Sequence, residues 1–312
     1  MSILITGGTG FIGLRLAREL VKLGEEVVLF DISPKYDVLG DLEGKVKVVR
    51  GDLAVLSCVL DVVKNHGVDE IFHLGAVLSA AAESMDPMAT FGANFLSTVN
   101  VFEAARIFGV DKVIFTSSIA SYGPGLEVPV KEDVPQRPQT TYGISKVFGE
   151  LWGLYYMRRY GIDFRAVRFP SVVGAGRGAG GASAYTTLII QYAAMGKPYV
   201  IYVDEDARIP ILYYKDAVRA LLTLREAADP KSRVYNIAGI SPTAIEIVEE
   251  VKRHIPDADF KFKPDPELVA IVDSWPARLD DSKARMELGW TLRYPLDKLV
   301  PDFIREVREN LS

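Results

Sequence analysis

A tyrosine and a lysine four residues apart, in the stretch TTYGISKVFGE, are the clearest candidate catalytic pair in the sequence. Tyr142 and Lys146 fall at the start of a predicted helix, where residues at that spacing share one face. A free phenol has a pKa of about 10, and a neighbouring ammonium lowers that pKa by favouring the phenolate. Tyr142 could therefore accept the proton of an alcohol near neutral pH. Ser118 ends the predicted strand KVIFTSS and could hydrogen-bond the same substrate oxygen.

Such a base needs a hydride acceptor beside it, and the stretch TGGTGFIG near the N-terminus is typical of a dinucleotide site. Gly7, Gly10 and Gly13 lie where a predicted strand passes into a predicted helix, whose first turn holds Phe11 and Ile12. Because glycine has no Cβ, the backbone N–H groups and the helix N-terminus can closely approach a pyrophosphate. We therefore expect these five residues to bind the cofactor.

Two aspartates follow the next two predicted strands. Asp31 ends EVVLFD, where it would accept hydrogen bonds from the adenosine ribose. Its charge would repel a 2′-phosphate, so we expect NAD rather than NADP, although Lys35 lies close in sequence. Asp52 follows the third predicted strand and would reach the adenine; a solvated loop aspartate is the alternative.

Strands and helices alternate from residue 2 to about residue 170, at the spacing of right-handed βαβ units. The pattern predicts the α/β class, with a doubly wound parallel sheet (Rossmann) that binds ligands at the carboxyl edge of its strands. We expect residues 1–170 to form the dinucleotide-binding domain, with a return segment near 209–237. Residues 171–312 should form mainly a smaller, mixed C-terminal substrate-binding lobe.

The composition excludes several classes of protein. The 312 residues carry a formal net charge of −5, which argues against a nucleic-acid or membrane-surface partner. A single cysteine excludes an intramolecular disulfide, and three scattered histidines argue against a metal site. The sequence shows neither an apolar run of about 20 residues nor a signal-peptide pattern. We therefore expect a cytoplasmic protein with a small-molecule substrate and no metal.

Together, TGGTGFIG, Asp31, TSS and YGISK resemble the extended short-chain dehydrogenase/reductase family, and the resemblance runs the length of the chain. The family's usual His-Leu-Ala-Ala reads His-Leu-Gly-Ala here. The resemblance implies NAD(P), a second role for Lys146 in holding the nicotinamide ribose, and a homodimer. The dimer would form through the helices predicted at 87–108 and 142–160, with bulky residues such as Phe102 and Trp152 at the interface. It also implies cofactor contacts for Leu53, Leu74, Gly75, Ala76 and Pro170.

Within the family, HLGAVLSAAAE, SSIASYGP, ARIPILYYKDAVRA and SWPARLD are most similar to the short-chain type of L-threonine 3-dehydrogenase. That similarity implies substrate contacts for Ser79, Ser117, Ser118, Tyr142, Ser183 and Trp275. Ordinary packing of Trp275 and an ordinary loop position for Ser79 are the alternatives. Arg208 and Arg177 are candidate clamps for a carboxylate or pyrophosphate, because a guanidinium binds such groups through two hydrogen bonds. A solvated surface arginine is the alternative for both.

One loop departs from the threonine dehydrogenase type. The sequence reads GGASAY at 180–185, where those enzymes typically read Gly-Gly-Thr-Thr-Asp-Tyr. Ala182 therefore lacks a hydroxyl, and Ala184 lacks a carboxylate. If that carboxylate positions the ammonium of an amino acid, a small hydroxy acid or a sugar derivative becomes possible as the substrate.

These observations predict an NAD-dependent oxidoreductase, similar to L-threonine 3-dehydrogenase, that oxidises the secondary alcohol of a small substrate. The alternative is a UDP-sugar 4-epimerase or dehydratase that uses bound NAD. The Arg-x-x-Asn-x-Tyr-Gly-Pro stretch of many such enzymes is not visible at RFPSVVGAG, which weakens that alternative. A non-catalytic NAD-sensing protein is a third hypothesis, against which Ser118, Tyr142 and Lys146 argue.

Overall fold

The computed structural model describes residues 1–178 and 180–309, apart from the side chains of Ser79 and Ala80. The chain divides into two compact units. The first comprises residues 1–121, 140–168 and 221–234, and the second comprises 122–139, 169–220 and the chain from 235 onwards. Residues 122–139, which the sequence analysis places in the nucleotide-binding domain, thus group with the second unit.

The strands, in chain order, are β1 (Ser2–Thr6), β2 (Glu26–Asp31), β3 (Lys47–Arg50), β4 (Glu70–His73), β5 (Lys112–Ser118), β6 (Asp163–Phe169), β7 (Ser171–Val173), β8 (Tyr199–Ile201), β9 (Ile211–Tyr213), β10 (Val234–Asn236) and β11 (Phe260–Phe262). The helices are α1 (Phe11–Lys22), α2 (Leu56–Asn65), α3 (Ser79–Ser84), α4 (Pro87–Phe91), α5 (Ser97–Phe108), α6 (Thr141–Tyr160), α7 (Tyr185–Ala194), α8 (Tyr214–Glu226), α9 (Ala244–His254), α10 (Pro266–Asp273), α11 (Ser282–Leu288) and α12 (Leu296–Glu309). None of these helices is long and apolar enough to cross a membrane, within the ranges that the structure describes.

Seven strands form one sheet in the order β3-β2-β1-β4-β5-β6-β10. The pairings of β1 with β2 and β4, of β2 with β3, and of β4 with β5 are all parallel. The order reverses between β1 and β4, where a crevice for a ligand forms in such sheets. Register places Thr6, the last residue of β1, beside His73, the last residue of β4, and His73 beside Phe115, so β5 continues three residues further at this edge. The predicted α/β class and doubly wound parallel sheet are confirmed.

The segment 87–108, predicted as one helix, contains a break in its regular winding. Asp86 caps α4, a π-helical turn follows at Gly92–Leu96, and α5 completes the segment. The amide of Asn94, within the π turn, donates to the Val77 carbonyl at 2.9 Å and accepts from the Val77 N–H at 2.7 Å. Single π turns interrupt helices most often at functional sites, and this one fixes the loop after β4.

Helix α6 lies against β5 and β6 at short range because two of its residues are glycines. Thr140 caps its first turn, and Gly161, with a φ of 78°, ends it. A Cβ on Gly149 would lie 2.8 Å from Cε1 of Phe115, and one on Gly153 would lie 2.6 Å from Cζ of Phe164. The two glycines therefore set how close α6 comes to the sheet.

The second unit has a core of its own. Its two small sheets each pair two parallel strands, β7 with β9 and β8 with β11. Apolar residues from α7, α9 and α12 bury one another in this core. Trp275 is partly buried and packs against the same cluster, and its contact with a substrate stays a prediction.

Candidate active site

The glycine loop between β1 and α1 has the geometry of an anion site. Gly10 is the N-cap of α1, and no side chain caps that N-terminus. Gly7 has a φ of 63°, which favours glycine, and a Cβ there would lie 2.9 Å from the Cα of Gly75. A Cβ on Gly13 would lie 2.6 Å from the Gly7 carbonyl oxygen, so the third glycine lets α1 pack on the loop. Phe11 and Ile12 fall in the first turn, whose N–H groups favour an anion.

The two candidate aspartates are both held by nearby backbone. Asp31 Oδ2 accepts from the Thr9 hydroxyl at 2.8 Å and from the Thr9 N–H at 3.2 Å, which ties the end of β2 to the glycine loop. Asp52 Oδ1 accepts from the Ala54 N–H at 2.8 Å. The carbonyl of Leu53 accepts from Asn100 at 2.8 Å. These bonds keep the loops after β2 and β3 in one conformation.

A buried histidine at the end of β4 joins the glycine loop to α5. Thr6 Oγ1 accepts from the N–H groups of Leu74 and Gly75, both at 3.1 Å, so its own proton is directed to His73 Nδ1 at 2.8 Å. A hydroxyl has one proton to donate, and His73 Nδ1 is therefore an acceptor. Nε2 then carries the imidazole proton and donates to Thr98 Oγ1 at 3.2 Å.

His73 stays neutral in this setting. Burial, together with the nearby charge of Lys146, lowers its pKa to about 3. The uncharged ring also lies beside Phe115 in a tilted arrangement, with 5.7 Å between the ring centroids. The sequence analysis considered His73 only as a metal ligand, and its strand-end position in FHLGA was the signal that could have revealed its structural role.

Gly75, where the sequence departs from the family pattern, lies close to the Leu53 side chain. A Cβ at Gly75 would lie 2.7 Å from Leu53 Cδ1 and 3.2 Å from Thr6 Oγ1. Together with Leu74, Gly75 donates to Thr6, and Ala76 and Val77 then pack beside the Tyr142 ring. The loop after β4 thus connects the glycine loop with the start of α6.

Tyr142 and Lys146 lie on the face of α6 that meets β5. The Tyr142 ring is buried among Ala82 and Ala120, and the Lys146 Nζ lies 5.3 Å from the centroid of that ring. Lys146 Nζ donates to the Thr116 carbonyl at 2.9 Å and lies 4.9 Å from the centroid of Phe115. The ammonium is therefore held beneath the tyrosine by the backbone of β5.

Ser118 is the last residue of β5 and is partly exposed. Its Oγ accepts from the Ala120 N–H at 3.2 Å, and this leaves its proton to donate. Burial lowers the pKa of Lys146 to about 8, against the opposing charge of Glu150. At neutral pH most of the protein therefore carries an ammonium beside the phenol.

The hydroxyl of Ser117, a residue expected to contact the substrate, is hydrogen-bonded to Glu150. Its Oγ donates to Glu150 Oε1, and Arg168 Nε and Nη2 donate to the same carboxylate at 2.8 and 2.7 Å. All three side chains are buried. Sequence reasoning missed Glu150 and Arg168, because their pairing joins α6 to β6 across 18 residues.

The remaining candidates lie in the second unit or outside the described side chains. Ser79 begins α3, and its side chain lies outside the described residues. Pro170 follows β6. Arg208 donates to the Ser241 carbonyl and faces Glu246 at 3.5 Å, so it has partners within its own unit.

Arg177 and Ser183 are brought together at the departing loop. Arg177 donates to Ser183 Oγ at 2.8 Å, to Ser171 Oγ at 3.0 Å and to Thr187 Oγ1 at 3.3 Å. Ala182 and Ala184 flank Ser183 in a 3₁₀ turn. The loop thus places the Arg177 guanidinium among hydroxyls, and the neighbour of Ser183, Ala184, offers no carboxylate.

Comparison with known proteins decides the family. The model of the NAD dependent epimerase/dehydratase family matches residues 3–238, most of the chain. The chain belongs to this family. A curated relative, the mitochondrial L-threonine 3-dehydrogenase of Bos taurus, is 36% identical over 305 residues, which are 96% of this chain and 80% of the relative.

Solved structures agree with that assignment. An L-threonine dehydrogenase from Cupriavidus necator, in its holo form, superposes with a TM-score of 0.90 at 33% identity and covers 100% of both chains. The UDP-glucose 4-epimerase of Thermus thermophilus, in complex with NAD, has a TM-score of 0.87 at 26% identity over 99% of both chains. The chain is therefore an NAD-dependent enzyme of the extended short-chain dehydrogenase/reductase type. The uncapped α1 N-terminus and the left-handed Gly7 fit NAD.

Proposed function

We propose that this chain oxidises the secondary alcohol of L-threonine or of a closely related small substrate, with NAD as the cofactor. The observation that carries the proposal is the buried Lys146 ammonium, held by β5 beneath the ring of Tyr142. The L-threonine dehydrogenases that resemble this chain over nearly its whole length favour the same substrate.

Each residue of the set has a role that its position supports. The Tyr142 phenolate accepts the proton of the substrate hydroxyl, and the Lys146 ammonium stabilises that phenolate. Ser118 donates to the substrate oxygen while the carbonyl forms. NAD, when bound, supplies the acceptor for the hydride that leaves the same carbon. The glycine loop, Asp31 and Lys146 would hold that cofactor.

Tyr142→Phe tests the proposal because it removes only the phenolic oxygen. We expect kcat for L-threonine to fall by about 10²–10⁴, the usual contribution of a general base, while the Kd for NAD stays unchanged. Tyr155→Phe, on the exposed side of the same helix, is the matched control and should keep full activity. Equal activity in both variants would refute Tyr142 as the base.

A UDP-sugar 4-epimerase or dehydratase is the second candidate, favoured by the family's name and by the similarity to UDP-glucose 4-epimerase. The two activities differ in their products. A dehydrogenase forms free NADH from its alcohol substrate, whereas an epimerase converts UDP-glucose to UDP-galactose with no net NADH. Conversion of the UDP-sugar without oxidation of any small alcohol would favour the epimerase.

A homodimer is the assembly that the surface of α4, α5 and α6 supports. Aromatic rings contact one another in sequence from Phe91 through Phe95 and Phe148 to Trp152, with centroid distances of 5.3, 5.4 and 5.5 Å. Around this row, large apolar side chains remain exposed at Met88, Phe91, Leu96, Ile144, Leu151, Tyr155 and Tyr160. Exposed apolar side chains on neighbouring helices are typical of an association surface, and a two-fold axis would pair such a surface with itself.

Phe102 was expected at this interface, but the structure places it in the core of the first unit, fully buried. Leu151→Lys is therefore the better test, because Leu151 is 60% exposed. We expect light scattering to show monomers for Leu151→Lys and dimers for Met286→Lys, whose side chain is exposed on α11. Dimers in both would refute the interface. The cytoplasmic location stays a prediction from the sequence.

A further inference from the structure

Glu150 is a buried carboxylate on α6, the helix that carries Tyr142 and Lys146. It takes no part in the proposed reaction. Its side chain is 2% exposed, and Arg168, which pairs with it through two hydrogen bonds, is 4% exposed. Burying such a pair costs desolvation of both charges. A third bond comes from Ser117, so the position of this carboxylate is strongly fixed.

The same carboxylate is tied to the segment that holds Lys146. Glu150 follows Lys146 by one helical turn, on the same face of α6. Ser117, which donates to Glu150, comes directly after Thr116, whose carbonyl accepts from the Lys146 ammonium. The backbone of β5 thus joins the carboxylate and the ammonium, which also lie one turn apart on α6.

We propose that Glu150 is a positioning residue that supplies the buried counter-charge of the Lys146 ammonium, with Arg168 and Ser117 holding its carboxylate in place. The role of Lys146 in oxidation rests on the proposed function. The interaction between the Glu150 and Lys146 charges involves only residues of this chain, so it is present without cofactor or substrate.

Besides the Thr116 carbonyl, which accepts from Lys146, Glu150 stabilises the ammonium through its charge. Tyr142 faces it from the same helix, and the Phe115 ring faces it from β5. His73, from β4, is neutral. Arg168, from β6, reaches this region through its pair with Glu150. Burial lowers the pKa of Lys146, and Glu150 opposes that effect, so removal of its charge should lower the pKa further.

The test follows the titration of Lys146 in the ligand-free protein. Protein labelled with [ε-13C]lysine is titrated by NMR, and the Lys146 signal is assigned by its absence in Lys146→Met. In Glu150→Gln we expect the midpoint to fall by about one to two pH units, the effect of one charge a helical turn away at an effective dielectric constant of about 20. Glu150→Asp keeps the charge and should stay close to the wild-type midpoint.

Two further variants separate charge from structure. Ser117→Ala keeps both charges and should leave the midpoint in place. If Glu150→Gln does not fold, Glu150→Gln/Arg168→Gln leaves no unpaired charge. Because this variant also loses the positive charge of Arg168, its midpoint is compared with that of Arg168→Gln and should lie below it. An unchanged midpoint in the folded variant that lacks the carboxylate, or an equal fall in Glu150→Asp, would overturn the proposal. Failure of the proposed function would appear separately, as full activity in Tyr142→Phe, with the titration unaffected.

Discussion

A methyl group added at Gly149 should disturb the catalytic lysine through Phe115. The new Cβ would lie 2.8 Å from Cε1 of that ring, well inside contact distance. The ring has little room to move, because it is buried, has the His73 ring beside it at 5.7 Å, and has the Lys146 Nζ 4.9 Å from its centroid. Gly149→Ala should therefore push α6 away from β5 or push Phe115 towards Lys146.

Two opposing contributions determine the expected change in the free energy of unfolding of Gly149→Ala. Overpacking a core costs about 1–3 kcal/mol, while alanine in a helix interior is favoured over glycine by about 1 kcal/mol. Because the new Cβ would lie well inside contact distance of the ring, the overpacking cost should fall in the upper part of its range, about 2–3 kcal/mol. We therefore expect a net loss of about 1–2 kcal/mol for Gly149→Ala, measured by urea denaturation. Because the base and its lysine would be misplaced, kcat should fall by about ten- to a hundredfold.

Gly153→Ala is the matched control, one turn further along α6. A Cβ there meets Phe164, which is equally buried but lies away from Lys146. Its loss of stability should be similar and its loss of kcat much smaller. Equal kcat values for the two variants would refute the link from Phe115 to Lys146. A Gly149→Ala protein as stable as the wild type would refute the packing argument.

Three other predictions concern the cofactor, the substrate and the dependence of stability on pH. Because Asp31 should repel a 2′-phosphate, the wild type should bind NAD with a lower Kd than NADP, and Asp31→Asn should narrow that difference; tighter binding of NADP by the wild type would contradict the role of Asp31. Ala184→Asp should raise kcat/KM for L-threonine relative to 3-hydroxybutyrate by about ten- to a hundredfold, the range of a charge-assisted contact; an unchanged ratio would show that this loop does not select the ammonium. Burial alone would raise the pKa of the Glu25 carboxyl. The hydrogen bond and charge of Arg225 lower it by more, so the pKa of Glu25 lies below its ordinary value of 4.5. The stability that this ion pair contributes should be complete above that value and lost as the pH falls below it, so the Tm difference between wild type and Glu25→Gln should vanish in acid.

The sequence could predict those parts of the site whose residues lie close together along the chain. Tyr142 and Lys146 share a helix face because they are four residues apart. The glycine loop is recognisable because a strand, a tight turn and a helix start must follow one another within 13 residues. Asp31 could be placed because the next strand ends there. In each case the proposed role depends on residues that are close in sequence, so a single sequence is enough to predict it.

The parts that the sequence could not predict depend on contacts between distant residues. His73 meets Thr6 across 67 residues, and Ser117 meets Glu150 across 33. Nothing in the local pattern shows that the Ser117 hydroxyl is directed to a buried carboxylate. Phe102 was placed at an interface because it is bulky and lies on a helix with apolar residues on several faces; only the packing of α5 shows that its face is the inner one.

The two sides of α6 explain why its sequence is apolar in almost every direction. Tyr142, Lys146, Gly149 and Gly153 recur at three and four residues and face the sheet, as their contacts with β5 and β6 show. Leu151 and other large apolar side chains stay exposed on the opposite side. One side of the helix therefore carries small or chemically active residues, and the other carries the bulky side chains of the proposed homodimer interface. Since the two sides use different residues, Leu151→Lys should disrupt the proposed homodimer without changing the surroundings of Lys146, so that the dimer proposal and the catalytic proposal can be tested separately.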